Sequence, residues 1–120
     1  MKKFEAEKQK RFSTSEGVMT PLVMGEDFSV IRISMPEGLT VKPHSHNKEG
    51  FIVVTGGKII FDDGEKHSAS CNDVLEYGAE EEIGFTALED SEAIFITRKP
   101  QWNSLSAIYD LFQKMGIEPS

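Results

Sequence analysis

The sequence predicts an all-β sandwich or closed barrel followed by a single amphipathic helix, and three observations carry that prediction. Runs rich in Val, Ile, Phe and Thr recur at the roughly 8–12-residue spacing of small β domains. Clusters such as Gly25-Glu26-Asp27, Pro36-Glu37-Gly38, Gly56-Gly57, Asp62-Asp63-Gly64, Asn72-Asp73 and Glu89-Asp90-Ser91 separate them with residues that tolerate tight-turn dihedrals. Beyond Trp102 the apolar spacing changes from two to three and four, which is a helical period.

Residues 1–16 are polar and lysine-rich, with Phe4 and Phe12 as the large apolar side chains, and are expected to form an N-terminal arm or a helix docked by those two aromatics. Residues 17–120 are expected to form one domain, the barrel with its C-terminal helix. Its strands are expected at 18–24, 28–35, 39–43, 51–55, 58–61, 67–70, 74–77, 83–88 and 93–98. In the helix, Leu105, Ile108, Leu111, Phe112 and Met115 form a stripe, with Asn103 or Ser104 as cap and Gly116 as terminator. The stripe is expected to cover an open face or edge of the barrel, and Trp102 to pin the start of the helix.

A chain of 120 residues has room for one core, and its 20 acidic against 13 basic residues give a net charge of −7. That charge repels phosphate backbones and anionic lipid surfaces, so nucleic-acid and membrane binding are not expected. The basic residues Lys2, Lys3, Lys8, Lys10 and Arg11 alternate with Glu5 and Glu7, which reads as a solvated helix face. The single Cys71 cannot form an intramolecular disulfide and is expected as a small buried hydrophobe. With no apolar leader after Lys2-Lys3 and no apolar run near the ~20 residues of a membrane span, the expected location is the cytoplasm.

His44 and His46 carry the clearest chemical signal. Two residues apart on a strand, their side chains share a face, and imidazole is both a common transition-metal ligand and a titrating group near neutrality. His67, beside the Asp63-Gly64-Glu65 turn, is expected to be a solvated strand residue.

Gly38, His44, His46 and a closing Gly56 or Gly57 reproduce most of a glycine, five residues, His-x-His, three or four residues, glutamate, six residues, glycine pattern. With Ile59, Phe61, Asp63-Gly64-Glu65 and Asn72-Asp73-Val74-Leu75, the chain from Phe28 to Arg98 resembles the cupin family. The resemblance implies a cupin-type double-stranded β-helix, or jelly-roll, barrel with a metal site in its lumen, formed in the family by both His, the Glu of the first motif and a His from a second motif. If Gly56 closes the pattern, Glu49 takes the carboxylate position; if Gly57 closes it, Gly50 does. In the second motif Gly78 stands where the family has Pro and Ile83 where it has His, while a one-residue shift would bring Glu82 into the lumen.

The metal ligands expected from this resemblance are therefore His44, His46, Glu49 and Glu82, and the cofactor a divalent ion, Zn, Fe, Mn or Ni. Phe51, Val53, Phe85 and Phe95 would wall the lumen. The expected function is a lumenal small-molecule site at His44 and His46, with the reaction open. The rival expectation is a metal-free barrel that binds or senses a ligand without turnover. A homodimer is expected, because small barrels leave edge strands that pairing can cover.

Overall fold

A computed structural model describes residues 1–100 and 104–119, so Trp102 and the alternative cap Asn103 lie outside the described residues. After a single 3₁₀ turn at Ala6–Lys8 come β1 (Phe12–Thr14), β2 (Gly17–Met24), β3 (Phe28–Met35), β4 (Thr40–Ser45), β5 (Gly50–Gly56) and β6 (Lys58–Asp62). β7 (Lys66–Ser70), β8 (Val74–Tyr77), β9 (Glu82–Ala87), β10 (Ser91–Arg98) and helix α1 (Leu105–Lys114) complete the chain. Alternation thus located nine expected strands to within about two residues, the margin over which strand ends vary. It missed β1, which lies inside the stretch read as an arm.

The strands form one six-stranded sheet, ordered β1-β2-β3-β10-β5-β8, and one four-stranded sheet, ordered β4-β9-β6-β7. β3 pairs with β10, β4 with β9, β5 with β8 and β6 with β7, all antiparallel. Nested pairing of this kind is a long hairpin, with its tip at the β6–β7 turn, rolled into a jelly roll; β1 and β2 extend one edge.

Strands β5, β6 and β9 follow period two. In β5 Ile52 and Val54 are buried and Phe51 is exposed; in β6 Ile59 and Phe61 are buried; in β9 Ile83, Phe85 and Ala87 are buried. These residues, with Ile33, Met35, Ala69, Tyr77 and Ala93, make one core between the sheets, to which each fully buried large side chain contributes about 1.5–3 kcal/mol. Phe85 and Phe95 therefore take the inner positions expected of them, whereas Phe51 lies on the outer face and Ile52 occupies the inner one. Val53, next to Ile52 and opposite Ile94, has the outward parity of Phe51.

A second cluster lies at the β1–β2 end, where Phe12 packs on Ile108 and Phe112 of α1 with Met19, Met24 and Ile31 beside them. The Phe12 and Phe112 ring centroids are 4.4 Å apart. Helix α1 thus covers an edge of the barrel, as its stripe required, except that Met115 at the end of the stripe is exposed. The Ser104 hydroxyl caps the helix by accepting from Ala107 N at 3.1 Å. At the other end Gly116 has φ 76°, its N–H bonds to Gln113 O, and Ile117 N–H bonds to Phe112 O, a glycine-dependent stop.

One irregularity positions everything that follows. In the β4–β9 ladder Val41 faces Phe85 and His44 faces Ile83, so Lys42 and Pro43 together oppose Gly84 alone. Proline is suited to such a bulge because it has no N–H to contribute to the ladder. Gly84 is suited because a Cβ there would run into Val41 O and lie 2.5 Å from Pro43 N. Gly84→Ala is expected to lower the urea midpoint by the equivalent of about 1–3 kcal/mol at unchanged m-value. Gly56→Ala, whose Cβ would meet nothing within 4 Å, should stay within about 0.5 kcal/mol of the parent. Equal stability of the two variants would show that the bulge does not constrain the fold.

Candidate metal centre

Strict alternation from Leu39 and Val41, both packed against the core, would send Pro43 and Ser45 inward and both histidines outward. The bulge adds one residue and reverses that parity. His44 now lies opposite the buried Ile83 and His46 follows it inward, while Ser45 faces the exposed Glu82 on the outside. The two imidazole centroids are 4.5 Å apart, and His46 lies 5.9 Å from the Tyr77 ring. Beyond His46, Asn47 turns the chain with φ 58°, its N–H bonded to Ser45 Oγ at 3.2 Å. Ser45 Oγ also donates to Ala79 O at 3.2 Å, tying this turn to the β8–β9 loop.

A carboxylate reaches the pair from an element the sequence did not indicate. Glu16 sits in the β1–β2 turn, where Thr14 Oγ1 donates to Gly17 O at 2.8 Å and accepts from Glu16 N–H at 3.1 Å. Gly17 has φ 113°, and a Cβ on it would lie 2.5 Å from Ser34 O, so only glycine closes this turn against β3. Glu16 Oε1 lies 3.4 Å from His44 Nε2. Among the described residues, Glu16, His44 and His46 form the one group of three or more His, Cys, Asp or Glu residues whose donor atoms all lie within 4.8 Å of one another.

Glu49 and Glu82 stand outside that group. Glu49 turns to Arg98, at 3.1 Å, and both side chains are about half exposed. Gly50, the alternative carboxylate position, is pressed against β10, where any Cβ would collide with Ile96 O. Glu82 takes the outer parity of β9 because Ile83 takes the inner one. The second-motif position is therefore lumenal, and it is filled by an apolar side chain. Cys71 is exposed rather than buried, its thiol directed at Thr55 O at 3.3 Å. His67 is exposed as expected, and its Nε2 lies 3.1 Å from Asp63 Oδ1.

Local electrostatics fit a cation. His44 Nδ1 is 3.0 Å from Lys42 O, and a carbonyl can only accept, so Nδ1 carries the proton. Nε2 is thus the nitrogen that faces the Glu16 carboxylate, and a proton or a metal ion between the two would be held by both. Their 3.4 Å separation is close to the ~3.3 Å edge of a tetrahedral site with bonds of ~2.0–2.1 Å. His46 Nδ1 is buried with no hydrogen-bond partner, a state that costs about 1–3 kcal/mol and that bonding to an ion would relieve. Burial, aided by the neighbouring His44, holds the His46 pKa below its ordinary 6.5 and keeps that ring a neutral donor. Burial likewise raises the Tyr77 pKa, against the hydrogen bond its hydroxyl shares with Thr97 Oγ1 at 3.0 Å, so this group stays a phenol.

A pocket of about 260 Å³ opens between the sheets beside the cluster, with Ile52, Leu75 and Tyr77 on one wall and Phe61 and Ile83 on the other. It meets the histidines at two shared boundaries: Tyr77, which packs near His46, and Ile83, which opposes His44.

No family model matches the sequence, and no curated protein matches it. Solved structures do match. KdgF from Halomonas sp. superposes with a TM-score of 0.76 at 20% identity, over 84% of this chain and 96% of the other. Ectoine synthase from P. lautus gives 0.78 at 13% identity, over 100% and 90%. An RmlC-like cupin from Desulfovibrio desulfuricans gives 0.62 at 26% identity, over 83% and 91%. The chain has the cupin fold. No helix among the described residues is long and apolar enough to cross a membrane.

The lowered pKa of His46 has a definite consequence for metal-free protein. Below the ordinary 6.5 the unfolded chain binds a proton that the folded ring resists, so stability must fall as the pH falls through that region. In chelator-treated protein the urea midpoint should decline between about pH 7 and pH 5, and more steeply than in His46→Gln. Parallel declines would mean that His46 is not held neutral by burial.

Proposed function

We propose that this chain, a cupin by fold, holds one divalent transition-metal ion with Glu16, His44 and His46 and presents it to a small molecule entering the neighbouring pocket. The observation that carries this reading is the facing of His44 Nε2 and Glu16 Oε1 at 3.4 Å across a site that also includes His46. Two imidazoles and one carboxylate are a donor set suited to Zn(II), Fe(II), Mn(II) or Ni(II), and three protein ligands leave positions for water or substrate. An ion there would act as a Lewis acid on a substrate oxygen or on water. The chain's own residues do the rest. Lys42 O fixes the His44 tautomer, the β1–β2 turn supplies the negative charge, and Tyr77 and Ile83 exclude water from the lumenal side. The solved neighbours include proteins named as an ectoine synthase and a polyketide cyclase, so the fold accommodates enzymes of small molecules.

A binding barrel without turnover is the second reading, and Ile83 favours it, because an apolar side chain stands where a further ligand would complete the site. Ligand-dependent stabilisation with no product formed would select this alternative.

Protein prepared without an affinity tag and loaded with Zn(II), Mn(II), Ni(II) or Fe(II) should retain about one equivalent of metal. His44→Ala, His46→Ala and Glu16→Gln should each weaken retention by at least ~10–100-fold, while Glu49→Gln and Glu82→Gln should leave it intact. Retention unaffected by Glu16→Gln, or no retention in the parent, would reject the proposed centre.

A further inference from the structure

We propose that the lumenal pocket selects a small cation with an apolar or aromatic body, an amine or ammonium compound, in preference to a neutral or anionic molecule of the same shape. The inference names a substrate class for the function proposed above and rests on that reading only in taking the pocket as the substrate's place.

Ile52, Leu75 and Ile83 give a hydrocarbon lining, and Phe61 and Tyr77 add two aromatic rings. Aromatic faces attract cations through their quadrupole, most strongly where water is displaced. At about 260 Å³ the space is slightly below the ~300 Å³ at which pockets begin to take drug-sized ligands, so a single-ring or short-chain compound is the fitting size.

The mouth supplies the sign. Its ionisable lining is Asp63 and His67 from the β6–β7 hairpin, Glu76 from the edge strand β8 and Glu81 from the β8–β9 loop, and neither Lys nor Arg lines the pocket. Two of these carboxylates, Asp63 and Glu81, are positioned by bonds. Asp63 Oδ1 accepts from Glu65 N–H at 3.0 Å and lies 3.1 Å from His67 Nε2, and Glu81 Oε1 accepts from Gly78 N–H at 3.2 Å. The bond from the Glu65 backbone, then that from His67, lowers the Asp63 pKa and keeps it ionised. An anion crossing this rim meets three carboxylates, of which His67 partners only Asp63, and neither Lys nor Arg. A neutral molecule gains the walls but nothing from the rim. A cation gains both, and the net charge of −7 adds long-range attraction at low salt.

Three single-ring probes of similar size separate these cases: benzylammonium, benzyl alcohol and benzoate, titrated into chelator-treated full-length protein with the methyl resonances of Ile52, Leu75 and Ile83 as the readout. Benzylammonium should shift those methyls saturably and bind at least about tenfold more tightly than benzoate, with benzyl alcohol between them. In the Glu76→Gln/Glu81→Gln variant, where the amide oxygen at position 81 can still accept the Gly78 bond, the ratio should shrink to within about threefold while the unligated spectrum stays folded. Benzoate binding as well as benzylammonium, no saturable shift at these methyls, or a ratio unchanged in the double variant would each overturn the inference. Because the titration contains no metal, its failure is distinct from failure of the metal centre, which metal retention reads separately.

Discussion

The two-for-one mismatch of Lys42-Pro43 against Gly84 is the constraint on which the site depends. Without it, β4 would keep the parity set by Leu39 and Val41 and carry its imidazoles on the outer surface, beside Glu82. Proline removes an N–H that would otherwise need a partner, and glycine removes the Cβ that would strike the displaced backbone. Two residues on facing strands, neither of which touches a ligand, thus determine whether this barrel has a polar centre in its lumen.

The carboxylate depends on a second, separate anchor. β1 is only three residues long, too short to be held by its ladder alone, and Phe12 sinks into the cluster formed with Ile108 and Phe112. Pro119 also bridges back to Phe12, so the C-terminal segment closes over the strand that leads into the Glu16 turn. Helix α1 therefore does more than shield an edge. It helps hold the hairpin that brings a negative charge to His44.

Lumenal polarity is divided between two regions with different physics. Around His46, burial favours the neutral imidazole and stabilises the phenol form of Tyr77, so this region presents lone pairs and one carboxylate. Around the pocket mouth, hydrogen bonds lower the pKa of Asp63, Glu76 and Glu81 stand beside it, and the walls are hydrocarbon and aromatic. Tyr77 and Ile83 separate the two regions.

What the sequence determined by itself was local. Alternation of apolar residues located β2 to β10, and the stripe ending at Gly116 located α1. The two-residue spacing of His44 and His46 put them on one face whichever way that face turned. Each of these signals is carried by neighbours within a few positions, and short-range sterics enforce it. Tertiary structure decided which face was inside. The inner wall of β5 went to Ile52 and Val54 rather than to Phe51 and Val53, because packing against β10 set that parity, and Cys71 was left exposed beside Thr55. It also decided the carboxylate. Glu16 lies in a turn after a strand too short to show a period, and nothing within that stretch connects it to an imidazole far along the chain. Only the pairing of β1 with β2, the anchoring of Phe12 and the bulge in β4 bring them together, and long-range contacts of that kind leave no periodic mark in the residues that make them.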